Sequence, residues 1–314
     1  MTTTQVSIID VSMRDGIQNE AVLIPLHQRL EIIEQMLAAG VKSLQIASFV
    51  QPKRVPQMAD VEALVAQLPA VDGVAYSGLV LNTKGLSRLL ASGLAHVDLS
   101  LSCSEAHSRS NTGLSLPAAL TQTIAMVHTA KTAGLAVRVG LQCAFGCNIS
   151  GQVSVNHVAA LARELTAAGC DALALADSTG QAMPDDIKNM IFAVREWSNL
   201  PLILHLHDTR GLAIANLLAG YQAGVRAFDA SLGGVGGCNF IPGATGNIAI
   251  EDVVHLFDRM GVTTGIALAD LLPATRSLER TLGYALPGKV YQLHNKARTA
   301  SGAHGPSTGV SAWA

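Results

Sequence analysis

One short device recurs along the chain: a helical pattern ends on a glycine step, and an apolar strand starts at once. It stands at Ala39-Gly40-Val41, Ser92-Gly93-Leu94, Ala133-Gly134-Leu135, Ala168-Gly169-Cys170, Ala223-Gly224-Val225 and Met260-Gly261-Val262. A glycine just past the last helical turn accepts the left-handed conformation that closes off the free carbonyls, so each step reads as a helix-to-strand switch. The last step leads out of the repeating part.

Apolar runs at residues 5–11, 43–47, 74–81, 96–101, 136–141, 172–176, 201–207 and 227–231 read as buried parallel strands. Helical patterns such as 26–39, 116–133, 155–168, 184–197 and 213–223 separate them. Eight strand–helix units in strict alternation predict an α/β fold, closed as a (β/α)8 TIM barrel rather than left as an open doubly wound sheet. No Gly-x-Gly-x-x-Gly follows the first strand to favour the open form. Residues 267–284 read as one or two extra C-terminal helices. Residues 1–295 are expected to form a single barrel domain that includes them, and residues 296–314, rich in Gly, Ser, Ala and Thr, a flexible tail unless a partner orders it.

Composition agrees with one large core, since 49% of the 314 residues are hydrophobic and 14% are charged. A net charge of −2 gives no global field toward nucleic acid or an anionic membrane, so a small-molecule partner is expected. No apolar run reaches the roughly 18 to 20 residues that span a bilayer, and the first residues lack the basic and hydrophobic segments of an export signal. The expectation is a cytoplasmic protein. Five cysteines, an odd number scattered along the chain, suit a reducing compartment better than a disulfide framework. Cys143 and Cys147 are at most half a zinc site, because no second pair stands at ligand spacing.

A parallel barrel carries its chemistry at the carboxyl ends of its strands. There the sequence gathers Arg14 and Asp15 after strand one, Gln45 and Ser48 on strand two, Asn82 after strand three, and Ser104 and His107 after strand four. Gln142 ends strand five, Asp177 strand six, and His205 and His207 strand seven; a glycine loop from Gly233 to Cys238 follows strand eight. In His205-Leu206-His207, alternate strand residues share a face, so both imidazoles can reach one ion. Asp15 and Asn247 can complete a mixed nitrogen and oxygen set suited to Mg2+ or Mn2+, with zinc remaining an option. Arg14 can stabilise an enolate oxygen on a thioester. Cys238, carried on the glycine loop over that site, is placed for proton transfer if its surroundings favour the thiolate.

The run from Val11 to Glu20, Val-Ser-Met-Arg-Asp-Gly-Ile-Gln-Asn-Glu, resembles the opening motif of the 3-hydroxy-3-methylglutaryl-CoA lyases, within the DRE-TIM metallolyase superfamily. Further matches are Ser48-Phe49-Val50, Pro52-Lys53, Val55-Pro56-Gln57-Met58, Cys143-Ala144 with Gly146-Cys147, and the stretches 205–209 and 233–247. The resemblance implies a divalent metal on Asp15, His205, His207 and Asn247, with Arg14 stabilising the enolate. It further implies Cys238 active in proton transfer on the lid, Asp177 as a catalytic or orienting group, and a homodimer. The implied reaction is the retro-Claisen cleavage of 3-hydroxy-3-methylglutaryl-CoA to acetyl-CoA and acetoacetate.

Three departures stand out: Gln45 where the family usually has glutamate, Arg210 where it has tyrosine, and Ser12-Met13 where it has Gly-Pro. Gln45 and Arg210 shift the site toward positive charge. They are candidates, with Arg14, Ser48, Asn82, Ser104 and His107, for contacts that set the acyl group. The alternatives are a lyase for a related branched acyl-CoA such as citramalyl-CoA, the same chemistry run as a synthase, and a metal- or CoA-binding homologue disabled by Gln45.

Overall fold

The protein is seen in a computed structural model that describes residues 5–237 and 246–303. Eight parallel strands, β1 (Ser7–Asp10), β2 (Ser43–Ser48), β3 (Ala75–Val80), β4 (His96–Ser102), β5 (Ala136–Gln142), β6 (Ala172–Asp177), β7 (Leu202–Leu206) and β8 (Ala227–Ala230), pair in chain order. β8 returns to β1, so the sheet closes into a barrel. The closed form predicted from strict alternation is what the chain adopts. All six glycines of the repeated step have positive φ, from 69° at Gly261 to 98° at Gly40. At Gly40 a side chain would also collide, since a Cβ there would sit 2.2 Å from the Gly265 carbonyl oxygen.

The helices in chain order are α1 (Leu26–Ala38), α2 (Val61–Val65), α3 (Thr83–Ser92), α4 (Glu105–Thr112), α5 (Leu116–Thr132), α6 (Val155–Ala167), α7 (Pro184–Arg195), α8 (Ala213–Gln222), α9 (Ile250–Arg259), α10 (Leu268–Leu282) and α11 (Lys289–Ala303). Their apolar faces meet the barrel in one continuous core, with Ile32, Ile33 and Met36 of α1 and Ile187, Ile191 and Val194 of α7 fully buried. Burial of that kind is worth about 1.5–3 kcal/mol per large aliphatic side chain.

Two features differ from the sequence reading. β1 does not run straight into a loop; residues Ser12–Gly16 form a single π turn, in which Gly16 N donates to Val11 O at 3.0 Å and Ile17 N to Ser12 O at 3.0 Å. Such wide turns recur at functional sites because they re-aim side chains, and this one carries Arg14 and Asp15. The helix α11 continues to Ala303, past the boundary that composition suggested at Lys296. Its start is capped by Asp252 of α9, whose carboxylate accepts from Lys289 N at 3.1 Å and Val290 N at 2.7 Å. That cap comes from 37 residues upstream, so no local pattern announces it. Among the described residues no helix is long and apolar enough to cross a membrane.

Candidate active site

At the carboxyl ends of the strands lies a cavity of about 240 Å³, lined by Arg14, Asp15, Ser48, His107, Gln142, Ser178, His205 and His207 among others. Val50, Val55, Leu79 and Leu81 give it an apolar wall. A second cavity, of about 170 Å³, opens at the amino ends of the strands and reaches Asp98 and Arg138 from that side. It contains none of Asp15, His205 and His207, which all line the first.

His205 lies on β7 and His207 follows directly, so their side chains point the same way, with Nε2 atoms 3.1 Å apart. The π turn brings Asp15 Oδ2 within 3.8 Å of His205 Nε2 and 3.6 Å of His207 Nε2. Among the described residues these three, all buried, are the group able to hold a metal ion, with one ligand atom from each inside a span of 4.8 Å.

Asn247 arrives because residues 246–249 run back along the barrel rim. Asp208 N donates to Gly246 O at 2.8 Å, Ile248 N to Leu206 O at 3.0 Å, and Ser231 N to Ile248 O at 3.0 Å. The feet of the glycine loop cross so closely that a Cβ on Gly246 would lie 2.3 Å from Gly236 O, and one on Gly236 2.6 Å from Asn247 Nδ2. Asn247 Nδ2 donates to Asp15 Oδ2 at 3.0 Å and to Val235 O at 3.2 Å. Its Oδ1, like Nδ1 of His207, is buried without a partner. An unsatisfied buried polar atom costs about 1–3 kcal/mol. Two imidazoles and a carboxylate, with the Asn247 amide bonded to that carboxylate and its oxygen unspent, are a mixed nitrogen and oxygen donor set that fits a divalent cation.

Burial would raise the Asp15 carboxyl, but the adjoining Arg14 guanidinium and the imidazoles of His207 and His205 hold it well below the usual carboxylate range. Asp229 is held low in the same way, against its burial, by Arg138 and then His205. Asp229 Oδ2 lies 3.1 Å from His205 Nδ1, which fixes the ring with Nε2 toward Asp15 and His207.

Gln45 sits beneath this group, not in the open cavity. Its Oε1 accepts from Arg14 Nε and its Nε2 donates to Asp98 Oδ2. Arg138 closes the circuit: Nε donates to Asp98 Oδ1 at 2.5 Å and Nη1 to Asp229 Oδ1 at 2.7 Å. A continuous polar ring thus runs Asp15, Arg14, Gln45, Asp98, Arg138, Asp229, His205. It surrounds a hole of about 20 Å³, roughly the room of one water.

Of the residues singled out from the sequence, Arg14, Asp15, Ser48, His107, His205 and His207 line the cavity, and Asn247 stands beside Asp15. His107 rests on Ser102 Oγ at 3.0 Å, and burial pushes its pKa down. Asn82 and Ser104 do not join them: each is a helix N-cap, Asn82 accepting from Gly85 N at 2.9 Å and Ser104 from His107 N at 3.2 Å. Asp177, its pKa raised by burial, spends both carboxylate oxygens on a turn, accepting from Gln181 N at 3.2 Å and Ala182 N at 3.0 Å. Arg210 turns to the Thr179 carbonyl at 2.8 Å, and Cys238 lies outside the described residues. Cys143 and Cys147 are both buried, and neither belongs to the group found among the described residues that can hold a metal ion.

Asp98, Arg138 and Asp229 were missed by the sequence reading. Each is a lone charge inside an apolar strand, in Val97-Asp98-Leu99, Val137-Arg138-Val139 and Phe228-Asp229-Ala230, which is the pattern of an ion network inside a barrel.

The family described as HMGL-like matches residues 5–278. The (R)-citramalyl-CoA lyase of Chloroflexus aurantiacus is 39% identical over 296 residues, covering 91% of this chain and 93% of that protein. The mitochondrial hydroxymethylglutaryl-CoA lyase of Mus musculus is 36% identical over 289 residues, covering 92% of this chain and 89% of that protein. The crystal structure of the Bacillus subtilis HMG-CoA lyase superposes with a TM-score of 0.90 at 34% identity, over 94% of this chain and 100% of that one. With its barrel, its cluster of Asp15, His205 and His207, and these matches along nearly its whole length, the chain belongs to the HMGL-like family.

Proposed function

We propose that the protein is a divalent-metal-dependent carbon–carbon lyase that cleaves 3-hydroxy-3-methylglutaryl-CoA to acetyl-CoA and acetoacetate. The observation that carries this is the convergence of Asp15, His205 and His207 in one cavity with Arg14. Asp15, His205, His207 and the open oxygen of Asn247 would hold the ion, Mg2+ or Mn2+ by the hardness of its oxygen ligands. When bound, the ion supplies Lewis acidity toward the substrate's hydroxyl and carbonyl oxygens.

The bond that breaks joins the carbinol carbon to the carbon next to the thioester. As the hydroxyl proton leaves, the carbinol carbon becomes a ketone and the bonding pair passes to a thioester enolate. That enolate then takes a proton at carbon to give acetyl-CoA. Arg14 is the cation on hand for the enolate oxygen, and the Gln45 carbonyl and the Asp15 carboxylate fix its orientation. Gln45, with both ends engaged, acts through Arg14 and not as an acid or base. Cys238 is proposed as the proton-transfer residue on its position in the sequence alone. Ser48 and His107 are proposed to touch the acyl group. Asp177 and Arg210 are proposed to shape the neighbouring loop, and Asn82 and Ser104 to hold the helices that frame the mouth. Among the described residues no two cysteines are joined in a disulfide, which suits a reducing cytoplasm, and a homodimer is proposed on the family resemblance.

A second reading is favoured by the 39% identity to the (R)-citramalyl-CoA lyase. The same bond cleavage on citramalyl-CoA yields acetyl-CoA and pyruvate. The two are separated by supplying each thioester with Mn2+ and identifying the keto acid released. Acetoacetate as the faster product supports the first reading, pyruvate the second, and neither product would count against lyase activity on both.

A further inference from the structure

We propose that Arg138 is a positioning residue that locks the two working halves of the site, the Arg14 guanidinium and the His205 imidazole, into one fixed relation. The inference rests on the reading above, in which both halves act on one substrate, but it concerns a residue that touches neither substrate nor metal.

Arg138 rises from β5 at the level of Asp98 on the adjoining β4, its register partner. Its two donors point to different carboxylates, Nε to Asp98 at 2.5 Å and Nη1 to Asp229 at 2.7 Å. Asp98 is 4% exposed and Asp229 3%, so solvent does not substitute for either bond. All four carboxylate oxygens are used. Asp98 Oδ2 accepts from Gln45 and from Ser77 Oγ at 2.6 Å, and Asp229 Oδ2 faces His205 Nδ1 at 3.1 Å. Gln45 in turn carries the Arg14 Nε bond. A shift of the Arg138 plane therefore moves Asp98, Gln45 and Arg14 on one side, and Asp229 and His205 on the other.

Only a planar fork reaches both carboxylates at once; an ammonium keeps the charge and loses one of the two directions. A purely structural buried ion pair behaves differently, since its loss shows in stability and not in the alignment of groups beyond it.

The test is Arg138→Lys, read by Mn2+ affinity, by the visible spectrum of the Co2+ form, and by kcat and KM. Supporting groups behind metal ligands typically change affinity or rate by 10–100-fold. The expected result is a kcat and a Mn2+ affinity each lower by roughly 10-fold or more, a changed Co2+ spectrum, and a KM within about threefold of wild type. Wild-type kcat and Mn2+ affinity, with only a lowered melting temperature, would overturn the proposal. Should the lysine variant not fold, a double-mutant cycle decides, with Gln45→Ala and Asp229→Asn read on Mn2+ affinity. These two side chains lie at opposite ends of the Arg138 bridge, so coupling between them supports the proposal and additivity refutes it. Because the cycle needs no turnover, it separates failure of this inference from failure of the proposed lyase reaction.

Discussion

Asn247 donates from Nδ2 to Asp15 Oδ2 at 3.0 Å, across 232 residues of chain, and by doing so leaves its own amide oxygen buried without a partner. The amide orients the carboxylate and keeps an unspent acceptor of its own, and both residues are among the proposed ligands. Asn247→Ala removes that acceptor together with the bond to Asp15. The expected outcome is Mn2+ affinity lower by about tenfold or more, and a much smaller thermal shift on adding Mn2+ than in wild type. Calorimetric titration and melting curves with and without Mn2+ check it.

Within the ring Gln45 both accepts, from Arg14, and donates, to Asp98. In Gln45→Glu an acceptor oxygen would face Asp98 Oδ2, which already accepts from Ser77. Two carboxylates at that distance share a proton and titrate upward. The variant is expected to lose about 1–3 kcal/mol at pH 8 through the unsatisfied buried pair, and to recover part of it at pH 5, where the proton is present. Urea midpoints at the two values check this; equal stability loss at both would contradict it.

Beneath the glycine loop lie two buried acids. Burial, with a contribution from Glu251, pushes the Asp10 carboxyl up to about 7, and burial pushes Glu251 up to about 7. Glu251 accepts from Gly233 N at 3.1 and 2.9 Å, and Asp10 anchors Ser12, whose Oγ accepts from Leu232 N at 2.7 Å. A carboxyl with a raised folded pKa stays protonated in the folded state while the unfolded chain already ionises. Its penalty is absent below the ordinary carboxylate range, grows as pH climbs toward about 7, and is then constant. Glu251→Gln is therefore expected to flatten the fall in stability between about pH 4 and 7. Asp15 and Asp229, with lowered pKa values, work oppositely and in a separate window, their stabilisation being lost only as pH falls below the ordinary carboxylate range.

The barrel could be read from the sequence because its signals are local: a glycine after each helix, a short apolar run, a new helix. Even the strand limits follow, with β4 starting at His96 and β5 at Ala136 as expected. The site was legible as far as residues stand at strand ends, which holds for Asp15, His205 and His207. What stayed hidden depends on register. Asp98, Arg138 and Asp229 lie on three strands, and only the closed barrel sets Arg138 opposite Asp229, 91 residues away. Asn82, Ser104 and Asp177 show the converse, since a polar residue at a strand end also caps the next helix or turn, and sequence position alone does not distinguish the two uses.

Asp15, His205 and His207 are proposed to hold the ion on which carbon–carbon cleavage depends. The direct measurement is acetyl-CoA release from 3-hydroxy-3-methylglutaryl-CoA and citramalyl-CoA by chelator-stripped protein, before and after Mn2+ is restored, beside His207→Ala. Release from at least one thioester is expected to vanish on stripping, to return with Mn2+, and to stay below about one-hundredth of wild type in His207→Ala. Release that persists without metal, or at the wild-type rate in His207→Ala, would contradict it.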